Sequence, residues 1–229
     1  MSSQPKRSPR PITRIQDNLL AALERRLLTL LCGRMPAWVT PDRLTLLGLV
    51  GALGVFAGYA ASTIDSNWLW LAIGGFAVQW FGDSMDGSLA RFRHIERPAF
   101  GYFVDHSCDG LALLLILAGL GLSPFVRLDV ALFALAGYLL LSIHAFLSAR
   151  ILGELKLSHM ALGPTELRLI LIAFTLAMLF AGTGGDVVGP LSAYDMLVAT
   201  AGLVLVTLFV VQTIVVGRQI TRREQRGEL

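Results

Sequence analysis

Beyond residue 40 the chain alternates between long apolar runs and short polar breaks. Six runs of roughly 20 residues each are long enough to cross a bilayer as helices; they lie at about 43–62, 67–90, 100–122, 128–152, 166–183 and 195–217. Thr40 is placed as the N-cap of the first, with Pro41 in its first turn. Ahead of the runs, residues 12–33 have helical periodicity. Ile12, Ile15, Leu19, Leu23, Leu27 and Leu30 share a stripe, which Arg14, Asp17, Glu24 and Arg25 interrupt too often for a span. This pattern, carried to residue 36, predicts an amphipathic helix lying on the membrane surface; a helix packed on a partner is the alternative. Residues 1–11 are polar, basic and rich in Ser and Pro, have no apolar signal core, and are read as a disordered tail. The predicted fold class is an all-α integral membrane protein, with six transmembrane helices over 40–217 after an N-terminal amphipathic interfacial helix. A basic cytoplasmic tail at 218–229 follows.

Composition narrows this further. Hydrophobic residues make up 55% of the 229 positions and charged residues 15%, with a mean hydropathy of +0.66. Those values exclude an ordinary soluble domain. Net charge is only +3, so the placement of charge matters more than its sum. With six spans both termini share a side, and 18 of the 19 Lys and Arg residues fall there; Arg127 alone lies opposite. The positive-inside rule makes the crowded side cytoplasmic. Cys32 and Cys108 are expected to be free thiols serving packing. Gly48, Gly51, Gly54 and Gly58 thread the first span at helical spacings, which predicts close helix packing within the bundle or between protomers. Trp68 and Trp70 are expected at a membrane interface.

The candidate chemistry sits between the second and third runs, in GDSMDGSLARFRHIERPAFGYFVDHSCDG at residues 82–110. Asp83 and Asp86 are three apart and Asp105 and Asp109 four apart, so on helices each pair shares a face. Two adjacent helix ends would then gather four carboxylates, which repel unless neutralised. Hard divalent cations suit all-oxygen ligands, so Mg²⁺ or Mn²⁺ is expected rather than Zn²⁺, and the cluster suits two ions. Gly87, Ala90 and Gly101 keep the backbone approachable, and Arg91 offers a planar phosphate-binding fork. A proton-relay or ion-transport cluster is the bland alternative, although nothing in the chain resembles inverted repeats. A purely structural role fits worse, because buried carboxylates cost stability unless paired or metal-bound.

The pattern Asp83-x2-Asp86-Gly87-x2-Ala90-Arg91-x9-Gly101-x3-Asp105-x3-Asp109 resembles the signature of the CDP-alcohol phosphotransferase family, also called CDP-alcohol phosphatidyltransferases, at all eight defining positions over 27 residues. The resemblance implies a membrane transferase moving a phosphatidyl or other substituted phosphoryl group from a CDP-alcohol to an acceptor hydroxyl, with release of CMP, in phospholipid biosynthesis. It implies metal ligation by Asp83, Asp86, Asp105 and Asp109, with Asp109 also the catalytic base. Spacing alone does not separate Asp109 from Asp105. Gly87, Ala90, Arg91 and Gly101 would line the donor site, joined by Asp42 and Thr45 from the stretch Asp42-Arg43-Leu44-Thr45. Pro98 stands where many members carry Ser or Thr, which removes one hydroxyl contact to the donor.

For the acceptor, members using a phosphorylated alcohol have a basic pocket between spans four and five, matched in part by Arg150 and Arg168; Ser148 stands where a Lys is often found. Gly163-Pro164-Thr165-Glu166 resembles instead the choline and ethanolamine branch, with Glu166 near the acceptor. Two bland readings stand beside these: Glu166 as a helix N-terminal acid, and Glu154 and Glu166 as ion-pair partners of the two arginines. Lys156 and His159 are read as solvated loop residues. The expected donor is CDP-diacylglycerol, with CDP-choline or CDP-ethanolamine as the rival. Membrane lipid and a second copy of the chain are the other expected partners, and nucleic acid is not.

Overall fold

The structure, a computed structural model, describes residues 21–152 and 164–227. The polar tail at 1–11, the first part of the predicted amphipathic segment, Glu154, Lys156 and His159 lie outside the described residues. The six apolar runs become six helices: α2 (Pro41–Ala61), α3 (Leu69–Phe92), α4 (Pro98–Gly121), α5 (Leu128–Leu152), α6 (Pro164–Ala181) and α7 (Ala193–Gln225), preceded by α1 (Ala21–Arg34). Thr40 caps α2 by accepting from the Arg43 N–H, with Pro41 at the first helical position, as expected. Four helices, α2, α4, α5 and α7, are long and apolar enough to cross a membrane. The second half of α3 carries Asp83, Asp86 and Arg91, and α6 is only 18 residues long with Glu166 and Arg168 near its start.

Two details add to the predicted architecture. The segment joining α6 to α7 forms a short antiparallel hairpin, β1 (Asp186–Val188) on β2 (Leu191–Ser192), with Gly189 at positive φ in its turn. The stretch expected as a basic C-terminal tail is helical as far as Gln225. Residues 218–225 contain no Gly or Pro to stop the helix, and Arg and Gln propagate it well.

Helix α2 is the central strut, packing on both α3 and α4. Its glycine stripe makes the α2–α3 contact. A Cβ on Gly51 would lie 2.4 Å from the Gln79 nitrogen, one on Gly58 2.4 Å from the Ala72 nitrogen, and one on Gly82 2.3 Å from the Gly48 nitrogen. Such distances leave room for hydrogen only, so small residues on both helices let the backbones touch. The stripe therefore serves packing within the bundle. Around it Val55, Tyr59, Leu69, Phe76, Leu120, Phe125 and Met178 form the main core. The Tyr59 hydroxyl is satisfied there by Thr175 Oγ1 at 2.7 Å. At the Arg127 end, buried Asp195 accepts from the Arg127 N–H (2.7 Å) and completes a capping box with Ser192, tying α7 to the α4–α5 connection.

At the opposite end α1 packs on α3. Leu28 and Cys32 bury against Leu44, Met85 and Leu89. Burial pushes the Cys32 thiol up, with nearby Arg91 and Arg93 opposing. The face that docks on α3 is distinct from the stripe expected at the membrane: Leu27 and Leu30 stay exposed, Leu30 at 66%. Leucines occupy both sides of this helix, so periodicity alone could not choose between them. The chain from α1 to α2 is held by Arg93, whose guanidinium donates to the carbonyls of Met35 (3.0 Å), Pro36 (2.9 Å) and Val39 (2.6 Å).

Candidate active site

The two halves of the aspartate motif are joined by a tight connection. Helix α3 ends in a Schellman arrangement, with His94 at φ 55, the His94 N–H on Arg91 O (3.1 Å) and the Ile95 N–H on Ala90 O (3.0 Å). Pro98 then starts α4 at its first turn. The chain thus reverses within a few residues, and the motif's acids come to lie well inside α3 and α4 rather than at their ends. Between the two helices, with α2 behind, is a small cavity lined by Thr45, Gln79, Asp83, Asp105, Cys108 and Asp109, among others. Cys108, expected only to pack, borders this cavity.

Each carboxylate has its own surroundings. Thr45 Oγ1 donates to Asp86 Oδ2 at 2.6 Å, and the Gly87 N–H donates to Asp86 Oδ1. Asp83 is ion-paired with Arg168 of α6, whose Nε also donates to Gln79 Oε1 at 2.5 Å. Asp83 and Asp86 both feel the charges of Asp105 and Asp109. Asp109 is the most open of the three acids lining the cavity, its side chain 43% exposed against 30% for Asp105 and 23% for Asp83. His106, absent from the expected set, places Nδ1 3.6 Å from Asp105 and 3.7 Å from Asp109. Asp105, His106 and Asp109 offer ligand atoms within 4.8 Å of one another, close enough to hold one metal ion. The His106 ring stands edge-on to Tyr102, and its Nε2 is buried without a hydrogen-bond partner among the described residues. All four expected carboxylates are thus near one another, but the tight ligand group is formed by α4 alone. The donor chemistry fits a hard divalent cation, since carboxylate oxygens dominate.

The remaining expected residues divide. Arg91 folds back over Gly87, where a Cβ would sit 3.3 Å from Nη1, and it donates to Ser88 Oγ at 3.3 Å. A Cβ on Gly101 would meet nothing within 4 Å among the described residues, so their packing does not require glycine there. Ala90 is half-buried on α3. Asp42 is exposed and ion-paired with Arg97, whose guanidinium also lies 4.3 Å from the Phe100 ring centre. Arg168 reaches the aspartates. Arg150, in the last turn of α5, is exposed, and Glu166 lies in the first turn of α6. Arg168 is ion-paired with Asp83, a partner the sequence did not suggest.

Sequence reasoning missed Gln79, Glu24 and His106. His106 was findable, because it lies inside the motif between two acids. Gln79 lies one turn before Asp83, on the same face of α3. Glu24 is far away in sequence and gave no local signal.

Relatives place this arrangement. An archaetidylinositol phosphate synthase of Methanothermobacter thermautotrophicus is 35% identical over 101 residues, 44% of this chain and 49% of the relative. The Pyrococcus horikoshii enzyme of the same name is 34% identical over 105 residues, covering 45% and 52%. A CDP-diacylglycerol–glycerol-3-phosphate 3-phosphatidyltransferase of Cereibacter sphaeroides is 30% identical over 152 residues, covering 64% and 65%. The chain therefore spans about half the length of the two archaeal relatives and nearly two thirds of the bacterial one. The CDP-alcohol phosphatidyltransferase family model matches residues 38–212, which takes in α2, the whole aspartate motif and Arg168, and the chain belongs to that family.

Proposed function

We propose that the protein transfers a phosphatidyl group from CDP-diacylglycerol to the hydroxyl of a phosphorylated alcohol, releasing CMP, in phospholipid synthesis. The observation that carries this is the meeting of three aspartates from two helices at one cavity, with an arginine from a third helix on Asp83. In this reading Asp83, Asp86, Asp105 and Asp109 hold two divalent ions, Mg²⁺ or Mn²⁺. Such ions, when bound, neutralise the diphosphate and stabilise an in-line displacement at phosphorus. The chain's residues do the rest. Arg91 grips the donor diphosphate through bidentate contacts, while Gly87, Ala90 and Gly101 leave room for the nucleotide. Thr45 fixes the Asp86 carboxylate, and Asp42 lies at the cytidine side with Arg97. The acceptor oxygen bonds to the phosphorus farther from cytidine. The bond from that phosphorus to CMP breaks, and the acceptor's proton passes to Asp109, the most open acid of the cavity.

A lipid-linked donor is favoured by an apolar groove between α3 and α6, walled by Phe76, Ala77, Leu169 and Ile172, that ends at Arg168 beside Asp83. A phosphorylated acceptor is favoured by Arg168 at the aspartates, and by the glycerol 3-phosphate in the bacterial relative's name. The groove counts against soluble CDP-choline or CDP-ethanolamine as donor. Six spans, α3 and α6 among them, put both termini and the aspartates on the cytoplasmic side. The outward Leu27 and Leu30 of α1 then lie in the lipid interface, and the protein works as a homodimer.

Purified protein should release CMP from CDP-diacylglycerol when glycerol 3-phosphate or inositol phosphate is supplied. EDTA should abolish this, and Mg²⁺ or Mn²⁺ should restore it. Full activity in metal-free buffer, or a preference for CDP-choline, would overturn the reading.

A further inference from the structure

Glu24 of α1 belongs to none of the roles assigned above, yet one of its oxygens accepts from three side chains on two other helices. Its Oε1 accepts from Trp80 Nε1 at 3.0 Å and Ser84 Oγ at 3.1 Å, both on α3, and from Thr165 Oγ1 at 2.7 Å, on α6. The donors sit at telling places. Ser84 is the neighbour of Asp83. Thr165 lies one helical turn before Arg168, on the same side of α6, and Arg168 reaches Asp83 and Gln79. One half-buried oxygen thus ties the start of α6 to the acid-bearing stretch of α3, across the helix that precedes the membrane domain.

We propose that Glu24 is a positioning residue: by holding Thr165 to Trp80 and Ser84, it sets the α6–α3 spacing that lets Arg168 lie beside Asp83. The proposal rests on Arg168 serving the acceptor. Losing the latch lets the α6 N-terminus swing, and Arg168 no longer presents its fork at a constant distance from the metal-binding acids. The contact is made by an oxygen accepting from three neutral donors, so acceptance rather than negative charge is what matters. An amide supplies the same oxygen.

This makes a sharp prediction about substitutions. Glu24→Leu should raise the acceptor KM about tenfold or more, in line with losing three hydrogen bonds at once. Glu24→Gln should restore the acceptor KM, as should Thr165→Ser relative to Thr165→Val. A second measurement reads the latch without substrate. Spin labels on Thr29→Cys and Ile170→Cys, with Cys32 and Cys108 replaced by alanine, report the α1–α6 distance by pulsed electron resonance in lipid nanodiscs. The distribution should be narrow for Glu24 and Gln and broad for Leu. A narrow distribution in Glu24→Leu overturns the latch, whatever the activity. A broad distribution with an unchanged acceptor KM overturns the link to Arg168. Equal loss in Glu24→Gln and Glu24→Leu shows that charge, not acceptance, acts here, and also overturns it. Absence of CMP release in the unsubstituted protein removes the transferase reading instead, and the spin-label arm still decides the latch.

Discussion

Two arginines at the C-terminal end of α3, two residues apart, have opposite employments. Arg93 spends its donors on three backbone carbonyls of the α1–α2 connection. Arg91 is exposed and donates to Ser88 Oγ across 3.3 Å, and its fork is the one proposed to take the donor diphosphate. Arg91→Lys keeps the charge but loses bidentate geometry. The donor KM should rise roughly 10- to 100-fold, the equivalent of a charged hydrogen bond of about 1.5–3 kcal/mol, with melting behaviour unchanged. An unaltered donor KM would return Arg91 to a structural role. Arg168 differs again, because its guanidinium already neutralises Asp83. Arg150→Ala and Arg168→Ala should each raise the acceptor KM far more than the donor KM, and inorganic sulfate should compete with the acceptor. If free inositol or choline proves the better acceptor, the two arginines belong to ion pairs alone.

Among elements, the α2–α3 pair has the least tolerance. The Gly82 position is in backbone contact with Gly48, and a methyl group there has nowhere to go. Overpacking of this kind costs about 1–3 kcal/mol or more, so Gly82→Ala should lower thermal stability and activity together. Gly101 on α4 faces open space, and Gly101→Ala should fold normally. If the space serves the donor, that variant keeps its melting temperature and loses donor affinity, read as a raised donor KM. Normal donor kinetics in Gly101→Ala would mean that the glycine is not part of the donor site.

For the whole molecule, the antiparallel run of helices puts Arg127 at the end opposite the α3–α4 connection that carries Arg93. With the basic residues massed at the latter end, the membrane should be crossed so that this end is cytoplasmic. A cysteine introduced at Leu128 should react with an impermeant thiol reagent added to intact cells, and one at Glu96 should not. The reverse pattern would invert the orientation. Native Cys32, buried against Leu44 and Met85 with its thiol pushed up, should stay silent in the same experiment.

The spacing of the aspartates, the six apolar runs and the capped start of α2 were legible in the sequence. All three depend on helical periodicity and local capping, which act within a few residues of chain. Family membership followed from the same short stretch. The contacts that join distant segments were decided only by packing. Arg168 meets Asp83 across 85 positions and Glu24 meets Thr165 across 141. The glycine stripe faces α3 rather than another protomer, and α1 buries Leu28 and Cys32 while leaving Leu30 outside. Local patterns mark which faces can pack, but which face meets which helix depends on how all the helices fill the shared volume. That is a property of the assembled bundle, absent from any single window of the chain.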